Sequence, residues 1–252
     1  MHIIYRLCDA AGKNRPEWFS KEKCLRNFLE VFAAPAVYQS SGVHHYSHFI
    51  LDGLCHEAYI DFERALVHCR VPHSWLSAIY INERHNARAC RRAFDYALEL
   101  KLPDDEILYF LEDDYLHLPG ADRIIEEGIE LGYDYVTCYD HPDKYMDPSP
   151  NPLVTHGGEG SRVWCGRQAH WKSTNSTTMT FAAKRGTIAE DWPVINEHLN
   201  GDYPYDFRMF RHLLDYRSRQ LGSPIPGSAT HVEQQWLAPR VNWQEVACGA
   251  DG

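Results

Sequence analysis

The chain has 252 residues, with 25 Lys and Arg against 35 Asp and Glu, a formal charge of -10. Such a surface repels a phosphate backbone, which argues against a general nucleic-acid or acidic-membrane partner; a small anion would need a local cation, from a side chain or a metal. With 44% hydrophobic residues the composition suffices for one α/β core, and no run approaches the ~18 apolar residues that cross a bilayer.

"HIIYRLCD" opens as a strand ending in Asp9. "SKEKCLRNFLEVF" follows as a helix, with Cys24, Leu25, Phe28, Leu29 and Phe32 at helical spacing and Ser20 as its cap. "SHFILDG" is a second strand, "AYIDFERALVHC" a helix and "SAIYIN" a third strand. "NARACRRAFDYALEL" places Cys90, Ala93, Phe94, Ala97 and Leu98 on one helical stripe. "ILYFLEDD" then supplies a fourth strand. Alternation of this kind predicts parallel pairing through right-handed crossovers, with ligands gathered beyond the carboxyl ends of the strands.

The second half is less regular. "ADRIIEEGIEL" reads as a helix, "YDYVTCYD" as a strand, and residues 141–164 as a long loop rich in Pro, Gly and His, expected to close over a ligand. "STTMTFAA" reads as a strand, with Thr178, Thr180 and Ala182 on one face and Met179 and Phe181 on the other. "YDFRMFRHLLDYRSRQL" reads as a helix turning Phe207, Phe210, Leu213 and Leu214 inward, and "VNWQEVACGADG" as a weakly structured tail. The eight cysteines lack CxxC spacing and read as reduced thiols; "MHIIYRLCDAAGKNRP" lacks a signal-peptide apolar segment, so a cytoplasmic location is the default expectation.

The sharpest feature is the triplet Glu112-Asp113-Asp114, directly after the apolar run "ILYFL". Three adjacent carboxylates repel one another unless a cation or donors offset them. Solvation or a turn cap is the alternative, but the place is a strand end, where such sheets bind ligands. Hard oxygen donors suit Mg²⁺ or Mn²⁺, with substrate phosphates completing the shell.

In this order of elements the chain resembles glycosyltransferases of the GT-A fold. The resemblance rests on "YRLCD" and "ILDG" as the first strand ends, "NARACRRAFDYAL" before the motif strand, "YFLEDDYLHLPG" as a Glu-Asp-Asp variant of the Asp-x-Asp motif, and "STTMTFAAKRGTI" as the acceptor-side strand. It implies a mixed, mostly parallel sheet flanked by helices in one domain over 1–252. Residues 1–115 would form the nucleotide-binding half, 116–240 the acceptor-side half and 241–252 the tail.

By the same resemblance Asp114 binds a divalent metal, Mn²⁺ or Mg²⁺, while Glu112 and Asp113 contact ribose or metal-bound water. Arg6, Asp9 and Asp52 hold base and ribose, and Asn86 and Arg88 lie near the donor phosphate and sugar. Arg88 also reads as a charged helix face and Asp52 as a turn residue before Gly53. His231 is a candidate further metal ligand, an ordinary surface histidine being the alternative.

Sugar transfer also needs a general base on the acceptor hydroxyl. Asp206 is favoured and Asp191, in "IAEDWP", is the second candidate; the rival role for Asp206 is an N-cap. Trp171 reads as a sugar platform or as core. The implied function is inverting transfer from a nucleotide-sugar donor to a glycan or lipid-linked saccharide acceptor. The rivals are a sugar-phosphate nucleotidyltransferase, of whose glycine- and lysine-containing loop "AAGKNRP" is a faint echo, and a carbohydrate- or Ca²⁺-binding module, which the lack of a spaced DxDxDG loop disfavours.

Overall fold

The computed structural model of the chain describes residues 1–9, 14–34 and 44–249. Strands β1 (His2–Cys8), β2 (Tyr46–Asp52), β3 (Leu76–Ile81) and β4 (Ile107–Glu112) pair in parallel in the order β3-β2-β1-β4. Helices α1 (Lys21–Phe28), α2 (His56–His68) and α3 (Asn86–Glu99) lie between them in the chain. The Ser20 hydroxyl accepts from the Lys23 N–H at 3.1 Å, the expected cap of α1. Because β1 has β2 on one side and β4 on the other, the strand order reverses between β1 and β4, which opens a crevice at their carboxyl ends.

Both faces of β1, β2 and β4 are largely buried, as parallel strands require, while the edge strand β3 exposes Ala78 and Tyr80. Strand alternation sends Ile3, Tyr5, Leu7, Tyr109 and Leu111 into one core with α1 and α2. Ile4, Ile50, Leu108 and Phe110 go into the other, with Phe94 of α3 stacked on Phe110 at 4.0 Å.

After β4 come β5 (Tyr115–His117), α4 (Ala121–Glu130) and β6 (Tyr135–Val136). The short strands β7 (Val154–Thr155), β8 (Gly158–Glu159), β9 (Val163–Cys165) and β10 (His170–Ser173) follow. Next are β11 (Phe181–Lys184), α5 (Arg185–Glu197), α6 (Asp206–Tyr216), β12 (Leu221–Ile225), β13 (Ala229–His231) and α7 (Trp243–Gly249). The main sheet continues β4-β11-β6-β12-β10-β9, while β5 and β13 pair apart from it. The whole is the expected α/β arrangement, a mixed, mostly parallel sheet flanked by helices. No helix among the described residues is long and apolar enough to cross a membrane. All eight cysteines are free, and four of them are buried.

Several second-half expectations need correction. The strand read over "YDYVTCYD" shrinks to Tyr135–Val136. The strand read over "STTMTFAA" begins only at Phe181, because Thr178 and Thr180 use their hydroxyls on Tyr115 and on the Glu112 N–H instead of entering a ladder. Helix α5 forms where the sequence shows no clear helical stripe, with Pro193 inside it breaking the pattern. In α6, Met209, Phe210 and Leu213 are the buried residues, while Phe207 and Leu214 are only partly covered. The supposed tail is helical over α7, with Trp243 and Ala247 in the α1 core.

The 141–164 loop is not a free flap. Lys144, 2% exposed, donates to Asn175 Oδ1 at 2.9 Å and Ser176 Oγ at 2.8 Å, and Asn151 Nδ2 donates to Asn175 Oδ1 at 2.9 Å. Lys172 of β10 reaches Asp140 at 2.8 Å and Glu159 of β8 at 3.1 Å. Burying these charges unpaired would cost several kcal/mol per ion, so the network holds the loop shut against the sheet.

Candidate active site

Strand geometry divides the acidic triplet. Glu112 ends β4 on the face of Leu108 and Phe110, which is also the face of Arg6 on β1. The two meet, Arg6 Nη2 donating to Glu112 Oε1 at 2.7 Å, while Arg6 Nη1 donates to Asn86 Oδ1 at 3.0 Å at the start of α3. Asp113 turns the other way, toward α1, where its Oδ2 accepts from Lys21 Nζ at 2.9 Å and the Cys8 N–H at 2.8 Å. Burial pushes the Asp113 carboxyl above the usual range, with Lys21 pulling against it.

Asp114, 3% exposed, sits just before β5. Its Oδ2 accepts from Arg15 Nη2 at 2.6 Å and lies 3.2 Å from His231 Nε2. The antiparallel pairing of β5 with β13 brings that histidine in: His231 stands opposite Tyr115, the Val232 N–H donates to the Asp114 carbonyl at 2.8 Å, and the imidazole stacks on the Tyr115 ring. A carboxylate and an imidazole at this separation can be adjacent ligands of one octahedral ion, whose bonds of about 2.1 Å set neighbours about 3 Å apart. With one nitrogen donor, this set fits Mn²⁺ better than Mg²⁺, which prefers an all-oxygen shell; water and phosphate would supply the other ligands.

Around the triplet opens a cavity of about 880 Å³, lined by residues including Arg6, Asp9, Arg15, Lys21 and Asp52. Asp9 accepts from the Cys55 N–H at 3.2 Å, joining the end of β1 to the start of α2. Asp52, 6% exposed, accepts from the Glu83 and Arg84 N–H groups at 2.8 and 3.1 Å, so one of its oxygens fixes the turn after β3. Arg84 holds a left-handed backbone there (φ 46°) and also lines the cavity.

A second cavity of about 330 Å³ adjoins the first; Asn86 and Glu112 line both. His231, Thr178, Tyr205 and Asp206 line this one. Asp206 is the first residue of α6, with Tyr205 at the cap position, and its Oδ1 accepts from the Phe207 N–H at 2.6 Å. Burial, and then the neighbouring Glu112, raise its carboxyl to about 6, against the opposing pull of the Phe207 N–H, His231 and Lys144.

Two residues expected in the site lie elsewhere. Asp191, fully buried, accepts from Tyr135 Oη at 2.8 Å and pairs with Arg219 at 2.7 Å and Arg217 at 3.2 Å. Its carboxylate is saturated by structural partners and lines neither cavity. Arg88 is an exposed helix residue paired with Glu83 at 3.4 Å, also outside both cavities. Trp171 is core: it is fully buried, its Nε1 donates to Glu127 at 3.0 Å, and it packs on Tyr133.

Sequence reasoning missed Arg15, Lys21 and the 203–205 segment. Lys21 carried a signal, since a lysine in the first turn of a helix opposes the helix dipole and calls for a nearby anion. Arg15 carried none, and "AAGK" (10–13), the echo of a triphosphate-binding loop, lies outside the described residues.

No protein-family model matches the sequence, and no curated protein matches it. Among solved structures, similarity extends to a nucleoside-diphosphate-sugar pyrophosphorylase from Vibrio cholerae RC9, at 12% identity and a TM-score of 0.45, over 88% of this chain and 90% of that one. It extends also to a 4-diphosphocytidyl-2C-methyl-D-erythritol synthase, at 10% identity and a TM-score of 0.44, over 97% and 95%. Mouse xyloside xylosyltransferase 1 in its apo form matches at 10% identity and a TM-score of 0.38, over 99% and 81%. None of these likenesses assigns an activity to this chain.

Proposed function

We propose that the chain is a metal-dependent glycosyltransferase that moves a sugar from a nucleotide-sugar donor to a hydroxyl of a glycan or lipid-linked saccharide, with inversion. The observation that carries the reading is the adjoining pair of cavities with Asn86 and Glu112 as their common wall. The larger holds the donor, with Asp9 and Asp52 toward the nucleoside and Arg6, Arg15 and Lys21 toward the diphosphate. The smaller holds the acceptor.

Asp114 and His231 hold the divalent ion, which when bound supplies charge to neutralise the leaving diphosphate. Arg15 and Lys21, cations on the same wall, add to that neutralisation. Glu112 stays on Arg6 and orients it. Asp206 takes the proton from the acceptor hydroxyl, and a carboxyl near 6 is ionised at neutral pH yet basic enough to accept it.

Nucleotidyl transfer to a sugar phosphate is the competing reaction for such a donor cavity. Its nucleophile is already an anion, so a carboxylate in the acceptor cavity would repel it rather than activate it. Asp206 therefore favours a neutral hydroxyl acceptor.

A thermal-shift screen of nucleoside diphosphates with and without Mn²⁺ tests the donor assignment, since a bound ligand stabilises by RT ln(1 + [L]/Kd). We expect a Mn²⁺-dependent rise with at least one nucleotide, together with Mn²⁺-dependent turnover of the matching nucleotide sugar. Absence of a shift with every nucleotide would overturn the reading, and unchanged turnover in Asp114→Ala would overturn the metal assignment.

A further inference from the structure

At the junction of α5 and α6, outside the lining of both cavities, Glu197, His198 and His212 each offer one ligand atom, and the three atoms lie within 4.8 Å of one another. His198 Nε2 lies 3.4 Å from His212 Nδ1. Two imidazole nitrogens on one tetrahedral zinc, with Zn–N bonds of about 2.0–2.1 Å, stand about 3.3–3.4 Å apart. Glu197 is exposed and the two histidines partly so, which leaves a fourth position open to water.

We propose that these three residues form a second metal site, for zinc or a similar borderline ion, that clamps the root of the acceptor-side loop. Imidazole and carboxylate ligands suit Zn²⁺ and its transition-metal neighbours rather than Mg²⁺ or Ca²⁺, which take oxygen shells. Two neutral imidazoles and one carboxylate leave the bound dication with a local charge of +1.

The placement gives the site a consequence. Residues 199–205 run from the end of α5 to the start of α6 and carry Tyr203, Pro204 and Tyr205 to the wall of the smaller cavity. The loop already folds back tightly: the Tyr205 N–H donates to the His198 carbonyl at 3.0 Å, and a Cβ at Gly201 would lie 2.6 Å from the Tyr205 ring. Arg91 Nη2 pins it from α3 through Asn200 Oδ1 at 2.6 Å. A metal on His198 and His212 ties together the two helices from which this loop hangs. Loop opening then requires either metal loss or movement of both helices.

The test is isothermal titration of zinc chloride into chelator-stripped protein, comparing the natural chain with His212→Ala, Glu197→Gln and Asp114→Ala. One zinc event is expected to weaken at least tenfold in His212→Ala, to weaken in Glu197→Gln and to persist in Asp114→Ala. Glu197 is exposed, so its variant keeps the test valid should the histidine variant fail to fold. Absence of zinc binding, an event unchanged in Glu197→Gln, or one lost only in Asp114→Ala would overturn the site. Amide exchange over 199–205 should slow on zinc addition; unchanged exchange despite binding would overturn the clamp. Neither readout uses turnover, so these results are independent of the glycosyltransferase reading.

Discussion

Two groups of buried acids in this chain have nearly the same ingredients and opposite characters. Buried Asp191 meets Tyr135, Arg219 and the more exposed Arg217, and it lines neither cavity. Asp113 and Asp114 also meet cations, Lys21 and Arg15, but there acids and cations line an open cavity. A closed cluster stabilises one arrangement of the fold. A cluster on a cavity wall keeps its charges within reach of whatever enters the cavity, which is what the proposed donor and metal would use.

That contrast can be broken by mutation. The largest effect is expected from Asp114→Ala, which should lower Mn²⁺-dependent turnover roughly a thousandfold, since electrostatic stabilisation of the transition state is lost. Urea denaturation of the same variant should show only a modest change, because Arg15 at the cavity edge can turn to solvent. Asp206→Asn should cost about 10² to 10⁴ in turnover, the usual range for a general base.

Asp191→Ala reverses the pattern. It strips the buried Tyr135 hydroxyl of its acceptor, while Arg217 and Arg219 keep Glu190 and Asp134, and should destabilise by about 1–3 kcal/mol in urea unfolding, with turnover of the folded fraction unchanged. Loss of turnover without loss of stability would move Asp191 from the structural group to the catalytic one.

The pH dependence sharpens the comparison further. Turnover should rise as pH climbs through about 6, where Asp206 ionises. Its folded value lies above the ordinary 3.8, so between roughly 4 and 6 the folded state binds more protons than the unfolded chain. The stability this group contributes is complete below the unfolded value and is lost as pH rises through about 6. Asp206→Asn should remove that slope and raise stability at pH 7 by up to about 3 kcal/mol, measured by denaturation at several pH values. Arg88→Ala is the smallest case: its exposed pair with Glu83 contributes within about 1 kcal/mol, and turnover should be unchanged.

The first half of the fold was legible because its signals are local. Apolar runs alternate with helical stripes, and β1 to β4 and α1 to α3 follow them closely. Legibility fell after β4, where two-residue strands leave no periodicity to read and Pro193 interrupts α5. For the site, strand ends located the triplet, Asp9 and Asp52, yet could not say which cation meets which acid. Arg15 and Lys21 arrive through tertiary packing. Asp191 misled because a Glu-Asp pair looks alike whether it faces solvent, a ligand or two arginines.

The pairing of β5 with β13 also fixes when the site can exist. Asp114 and His231 are 117 residues apart in the chain, and the strands that bring them together close a correspondingly long loop. Long-range pairing of this kind forms slowly and late. On the ribosome, β1 to β4 can emerge and pair while the histidine strand is still unsynthesised. A nascent chain stopped before residue 229 would carry the acids and their cations without the imidazole that stands 3.2 Å from Asp114. The site becomes complete only as synthesis of the second half ends.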